Sequence, residues 1–281
     1  MRKKLAGVIL AMGLGAGGVV AAPSPPPANA DVLGLINQIN GIFGTLYSLG
    51  TGNGGLTLAT ATQAIIGAVK ASEADILNQV DGLFTAQAQA CANAAVVEFP
   101  DINSYTTDTL QTWANDTTNC VTLIESLWSV IPSSNAKALN TLGMSLGAVG
   151  PIALIAREKA GFSTAALKSV LQQGFTSIKG EFTPYCTIEP NDPTAEELMD
   201  AGDQDYFYID TIYSCTTALY YDSDLPNGGG ASAGAYAYWQ DYNFLGSTDF
   251  SNIDTQSVMA QASQDTSGAI AASVLPELPS I

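Results

Sequence analysis

The chain has 281 residues, of which 47% are hydrophobic and 12% charged, and it contains no histidine. Without an imidazole, a Ser-His-Asp triad, a Cys-His nucleophile and a His-ligated metal centre are all excluded. All 26 acidic residues lie beyond residue 30, against six basic ones, so that part of the chain has a net charge of −20. A field of this sign repels nucleic acid and anionic lipid, so we expect neither as a partner.

The first 30 residues predict a secretory signal peptide. A basic start at residues 2–4 precedes an apolar run from Leu5 to Ala22, and small residues offer cleavage sites after Ala22 or Ala30. The run is rich in glycine and alanine, which favours a cleaved leader over a retained membrane anchor. We therefore expect a secreted, extracellular protein.

Residues 31–60 form a glycine-rich N-terminal segment. Its first part, 31–49, carries apolar residues at helical spacing and predicts an amphipathic helix. The following GTGNGGLT predicts a loop, because glycine and asparagine tolerate positive φ. The segment could also insert into a membrane, as helical pore-forming proteins do. However, interfacial membrane helices usually carry basic residues on their polar face, and residues 31–69 contain none.

A helical core is expected over residues 61–184, built around two long helices. Over 61–97 apolar residues recur at steps of three or four, apart from one step of seven, and a second such stripe covers 108–131. Cys91 and Cys120 each lie on the apolar stripe of their helix. This placement fits a sulfur bridge buried between two packed helices.

Shorter helices complete the predicted core. One is expected over 136–146, where glycines stop it, and another over 151–161, with Pro151 in its first turn and Gly161 at its end. A further helix begins at Ser163, a residue suited to an N-cap, and continues until Pro184 closes it. The pattern before residue 184 shows no convincing strand alternation.

The character of the chain changes over residues 185–281. Nine of the eleven tyrosines lie there, and no basic residue follows Lys179, against sixteen acidic ones. The stretch YFYIDTIYSCTTALYY (206–221) is rich in β-branched and aromatic residues, but apolar residues also recur there at helical spacing, and we predict a helix. The glycine-rich 223–235 predicts a flexible loop, and 251–275 predicts a terminal helix.

Four cysteines in an exported chain predict two disulfides. Cys91 and Cys120 are 29 positions apart, as are Cys186 and Cys215. A Cys₄ zinc site would need close C-x₂₋₄-C pairs, which the chain lacks. The equal spacing favours pairing of neighbours among three arrangements. Helix geometry argues against it, because the first two cysteines lie ~9 and ~18 Å from the predicted turn between their helices.

The acidic clusters give only weak calcium candidates. Asp203, Asp205, Asp222 and Asp224 offer oxygen ligands, but neither stretch supplies the alternate oxygens, central glycine and distal glutamate of an EF-hand loop. We therefore expect no metal and no cofactor.

Carboxylate catalysis stays open as an alternative, because a glycoside hydrolase needs only two carboxyl groups at a set separation. Glu98 and Glu125 flank apolar stripes and are the least solvated candidates by pattern. Nothing in the sequence pairs them, so no catalytic residue is assigned.

Tyrosines interleaved with acidic, glycine and amide residues favour a binding surface in the last third of the chain. Aromatic rings stack at little entropic cost and their polar tips form hydrogen bonds. The predicted binding residues are Tyr206, Tyr208, Tyr236, Tyr238, Trp239 and Tyr242.

Three segments carry a resemblance to a known group of proteins. AQACANAAVVEFPDI, LQTWANDTTNCVTLIESL and GPIALIAREKAGF, within about residues 60–185, resemble uncharacterised exported helical proteins of Gram-positive, mycelium-forming bacteria. The resemblance implies export and a helical fold. It brings no assigned activity and no site.

The sequence thus predicts an all-α, disulfide-stapled bundle of five to eight helices with a less regular, acidic, Tyr-rich C-terminal third packed on it. The favoured function is non-enzymatic binding of an extracellular protein, glycan or envelope component. A His-independent carboxylate hydrolase and a helical, toxin-like membrane-active protein are the alternatives.

Overall fold

The computed structural model describes residues 32–81, 83, 85–190, 206–219, 230–240 and 255–281. The predicted signal peptide lies outside the described residues. Eight α-helices are described, and the expected all-α, disulfide-stapled bundle is confirmed. They are α1 (Val32–Thr51), α2 (Leu58–Asp81), α3 (Ala86–Glu98), α4 (Thr107–Trp128), α5 (Ala136–Lys159), α6 (Ala165–Glu181), α7 (Thr255–Ser263) and α8 (Ser267–Glu277).

Helix α5 forms the centre of the bundle. Every residue from Leu142 to Ala156 is buried, and α1, α2, α3, α4, α6 and α8 all pack against it. Among the described helices, α5 is the one long and apolar enough to span a membrane, but 83% of its apolar window is buried within the bundle. Burial to this extent is what a core helix of a folded domain shows.

The predicted break between 136–146 and 151–161 is wrong, because α5 runs through it with Pro151 inside the helix. Pro151 lacks an N–H and cannot donate to the carbonyl of Gly147. Tertiary packing outweighs this loss. A Cβ at Gly147 would lie 3.2 Å from side-chain atoms of both Ile39 and Ile270, so the missing side chain lets α1 and α8 approach α5.

The long helix predicted over 61–97 is divided in two. Helix α2 ends at Asp81 and α3 begins at Ala86, after Thr85, whose hydroxyl accepts a hydrogen bond from the Ala88 N–H at 3.2 Å. This side-chain cap satisfies one of the donors that a helix start leaves unpaired.

The helical hairpin α3–α4 carries the first disulfide. Cys91 and Cys120 are bonded, with their Cα atoms 5.5 Å apart, so the favoured pairing of neighbours is confirmed. The connection between the helices is clamped by rings: Phe99 stacks on Trp113, and Tyr105 meets the same indole edge-on. Cys91 and Cys120 lie at unequal distances from the ends of their helices. The short 3₁₀ turn Phe99–Asp101 and the loop after it span this difference.

The helix predicted over 206–221 is wrong. Residues Tyr206–Thr216 form strand β2, between β1 (Tyr185–Pro190) and β3 (Gly230–Gln240), in an antiparallel sheet of order β1-β2-β3. β3 includes part of the stretch predicted as a flexible loop. The β-branched and aromatic content of 206–216 suits a pleated surface, and pairing with β3 along eleven positions decides the conformation.

The core extends beyond residues 61–184 at both ends. The single terminal helix predicted over 251–275 is two helices, with α8 packed against α1, α5 and α6. Buried residues of α1 and α8 belong to the same hydrophobic cluster as those of α5, including Ile39, Ile270 and Val274.

The only arginine described here, Arg157, fastens the end of α5 to its surroundings. Its Nε donates to the Ser163 carbonyl at 2.8 Å and its terminal nitrogen to the Thr118 hydroxyl at 3.3 Å. The guanidinium also lies 5.4 Å from the ring centroid of Phe162. These contacts hold the α5–α6 turn against α4.

Candidate functional site

The register of the sheet groups most of the predicted binding residues. Tyr208 is directly opposite Tyr238, Asp210 is opposite Tyr236, and Tyr206 is opposite Gln240. Alternate residues of a strand belong to the same face of a sheet, and paired residues of an antiparallel ladder share that face. These register positions therefore belong to one face, which Tyr185 of β1 shares because it pairs with Thr216. We call Tyr185, Tyr206, Tyr208, Tyr236 and Tyr238 the tyrosine face.

The other face of the sheet is covered. Cys186 and Cys215 are paired directly across β1 and β2 and form the second disulfide, as the equal spacing predicts. Cys215 is completely buried against Val258 and Ala262 of α7. On the tyrosine face, by contrast, Tyr185 is 73% exposed. The disulfide and α7 thus pack one side of the sheet and leave the tyrosine face as the opposite side.

Two of the predicted binding residues do not join this group. Trp239 occupies a register position of the other parity, opposite Phe207, so the sheet separates it from the tyrosine face. Tyr242 lies outside the described residues.

The four calcium candidates, Asp203, Asp205, Asp222 and Asp224, also lie outside the described residues. Within the described ranges, no group of three or more His, Cys, Asp or Glu residues is arranged to hold a metal ion.

The carboxylates Glu98 and Glu125 are too far apart for paired catalysis. The Cys91–Cys120 disulfide sets the two helices level at that point. Glu98 lies seven residues from Cys91 towards the turn and Glu125 five residues from Cys120 in the opposite direction, which separates them by ~18 Å along the helix axes. Paired glycosidase carboxylates lie within ~9.5 Å of each other.

Tyr105 is the titratable group most perturbed near the α3–α4 turn. Burial raises its pKa, and the nearby charges of Glu98 and Asp101 raise it further. Its hydroxyl donates to the Glu98 carbonyl at 3.0 Å. The hydrogen bond to Glu98 and the edge-on contact with Trp113 make Tyr105 a structural clamp of the turn.

One further feature is a cleft of about 330 Å³ between α1, α2 and the end of α5. The sequence gives little sign of it, because its walls come from distant segments that meet only in the fold. The residues that line it include the exposed Glu158.

No protein-family model, curated protein or solved structure matches this chain. The resemblance to exported proteins of mycelium-forming bacteria therefore stays a prediction. The fold and the covalent links define the chain as a helical bundle that carries a disulfide-linked three-stranded sheet, and two disulfides of this kind belong to an oxidising environment.

Proposed function

We propose that this protein is secreted and binds an extracellular glycan of a cell envelope through the tyrosine face. The observation that carries the proposal is the register of β2 and β3, which assembles tyrosine positions on one face while the other face packs on α7. Burial of one side gives the sheet its stability and leaves the other side for a ligand.

The chemistry of the tyrosine face suits sugars. On neighbouring strands, paired positions lie ~5 Å apart and successive same-face positions ~7 Å apart, so the register positions of Tyr206, Tyr208, Tyr236 and Tyr238 are close enough to serve one ligand. Flat rings stack on apolar sugar faces while phenol groups supply hydrogen bonds. Asp210 and Gln240 take the two register positions paired with Tyr236 and Tyr206 and add acceptors and donors.

The negative charge of the C-terminal part of the chain restricts the class of glycan further. After Lys179, the chain contains sixteen acidic residues and no basic residue. This field disfavours anionic polymers, which it repels. A neutral or cationic polysaccharide meets no such barrier.

The two alternative functions receive less support. Glu98 and Glu125, the least solvated carboxylate candidates by sequence pattern, lie too far apart to act as a catalytic pair. Among the described helices, the one long and apolar enough to span a membrane is α5, and 83% of its apolar window is buried in the bundle, while the N-terminal segment 31–69 carries no basic residue.

A binding assay tests the proposal. The chain, purified after secretion, is incubated with insoluble neutral polysaccharides and with a glycan array, and the bound fraction is measured. The double variant Tyr208→Ser/Tyr238→Ser removes two facing rings and is expected to weaken binding about tenfold or more. Tyr47→Ser in α1 is the matched control and is expected to bind like the parent.

Three results would contradict the proposal. The first is undiminished binding by the double variant with its circular dichroism spectrum unchanged. The second is a preference for polyanions over neutral glycans. The third is retention by a protein receptor after enzymatic removal of all its glycans, which would make the ligand a polypeptide.

A further inference from the structure

The outer edge of β3 is an open edge of the described sheet. β3 pairs with β2 on one side, and no described strand pairs with its other side. An open edge offers a row of N–H and C=O groups to another extended chain, and folded proteins usually protect it with proline, with charged residues or by keeping the strand short. β3 has eleven residues and contains neither proline nor a charged residue. It therefore lacks these three protections.

The opposite edge of the sheet differs from that of β3. Strand β1 has six residues, includes the charged Glu189 and has Pro190 as its last residue. Proline is tolerated in an edge strand where its missing N–H would point away from the neighbouring strand. Pairing of β3 with a β1 edge, which would add copies without limit, is therefore disfavoured. Pairing of β3 with an identical β3 closes after two copies.

The second disulfide shows which backbone groups of β3 point outward. Facing residues of an antiparallel pair have Cα atoms ~5.5 Å apart when they are hydrogen-bonded to each other and ~4.5 Å apart when they are not. The Cα atoms of Cys186 and Cys215 are 4.1 Å apart, so Cys215 directs its N–H and C=O to Ala231 of β3 instead. Pro190 has the parity of Cys186 and fits this assignment. Because the direction alternates along a strand, the outward groups belong to Gly230, Ser232, Gly234, Tyr236, Tyr238 and Gln240.

The sequence of β3, GASAGAYAYWQ, is complementary to itself. When two copies align antiparallel with Ala235 opposite Ala235, outward groups meet outward groups along the whole strand. Each bulky residue is then opposite a small one: Tyr236 opposite Gly234, Tyr238 opposite Ser232, Trp239 opposite Ala231 and Gln240 opposite Gly230. Aromatic residues across from edge glycines help to fix the register of a sheet. No acidic residue lies in β3, so no like charges face each other.

We propose that two copies of this protein pair along β3 in an antiparallel, two-fold symmetric dimer. The joined sheet has the strand order β1-β2-β3-β3-β2-β1. Residues of equal parity meet across the new pair, so the tyrosine faces of both copies belong to the same side of one continuous sheet. The pairing does not depend on glycan binding.

Sedimentation velocity of the secreted chain at micromolar concentrations tests the pairing, and the expected mass is twice that of one chain. Gly234→Pro removes an outward donor from each copy but no bond to β2. It is expected to raise the Kd of the dimer about thirtyfold, because symmetry removes the same bond twice. Ile188→Pro is the matched control. Ile188 has the parity of Cys186, so this change removes an outward donor from β1 and is expected to leave the dimer intact.

Cysteine substitutions test the register. In the proposed dimer, Ala235 lies on the two-fold axis and faces its own copy in a pair that is not hydrogen-bonded, which is the arrangement of Cys186 and Cys215. Ala235→Cys is therefore expected to give a disulfide-linked dimer on air oxidation. Ala233→Cys is the matched control, because the two copies of position 233 lie ~13 Å apart along the strands, beyond the ~7 Å limit between Cα atoms for a disulfide.

Three results would overturn the proposal. The first is a monomer throughout the micromolar range. The second is equal association of the Gly234→Pro and Ile188→Pro chains when both keep the circular dichroism spectrum of the parent. The third is equal cross-linking of the two cysteine variants, which decides the question even where a proline variant does not fold. No glycan takes part in these measurements, so they fail or succeed separately from the proposed function.

Discussion

Replacing Gly143 by alanine tests the close packing of α5 against α8. A Cβ at this position would lie 2.5 Å from the Cβ of Ser267. Alanine gains about 1 kcal/mol of helix propensity over glycine, but the overlap is with an atom attached directly to the backbone, so α8 must shift. Overpacking costs about 1–3 kcal/mol, and the shift also disturbs the 2.7 Å bond from the Ser267 N–H to Asn140, worth about 1 kcal/mol.

The net expectation for Gly143→Ala is a loss of about 2 kcal/mol in the free energy of unfolding, or roughly 4–8 °C in Tm for a domain of this size. Urea unfolding followed by circular dichroism measures it. Gly67→Ala is the matched control, because Gly67 is exposed in α2 and a Cβ there has nothing within 4 Å. The control is expected to stabilise by about 0.5–1 kcal/mol. If both substitutions stabilise equally, α8 does not pack on α5 at Gly143.

Three further predictions concern other parts of the fold. The double variant Cys91→Ser/Cys120→Ser is expected to lower the free energy of unfolding by about 3 kcal/mol, and a loss below 1 kcal/mol in urea titrations would contradict it. Arg157→Lys loses the planar stacking on Phe162 and is expected to cost about 1 kcal/mol, with unchanged stability the opposing result. Burial raises the pKa of Asp265 above 3.8, so its ionisation opposes folding as pH rises past that value. Asp265→Asn should then raise Tm at pH 7 but not at pH 3, and an equal change at both would refute the linkage.

Local sequence signals were sufficient to predict helices whose apolar residues recur in a nearly ideal pattern. Helix α4 begins within one residue of its predicted start, because its apolar stripe is regular and Thr106 accepts a hydrogen bond from Thr109. The pairing of the first disulfide was predicted from the equal spacing of the cysteines, and the position of Cys91 and Cys120 on two apolar stripes agrees with it. In both cases the information lies within a few turns of helix or in one hairpin.

Long-range packing determines the conformation of the elements for which the predictions from sequence were wrong. Pro151 and the glycines of α5 have low helix propensity, yet burial on all sides makes the continuous helix the favourable arrangement. In 206–216, the apolar residues fit both a helical and an alternating pattern, and the choice depends on β3, a partner whose small residues gave no strand signal of their own. Whether such a segment forms a strand depends on the neighbouring strand with which it pairs.

The tyrosine face depends on covalent chemistry more than the bundle does. The bundle has one extensive core, whereas the packed side of the sheet rests on a small cluster of Cys215, Val258 and Ala262, with Cys186 and Met259 beside it. A three-stranded sheet needs such a hydrophobic face or a helix packed on it to be stable. The Cys186–Cys215 bond lies inside this cluster and also fixes the β1–β2 register, so reduction weakens the packing and the pairing together. Reduction of that bond is therefore expected to destabilise the face proposed to bind glycans, which links the proposed binding to an oxidising environment.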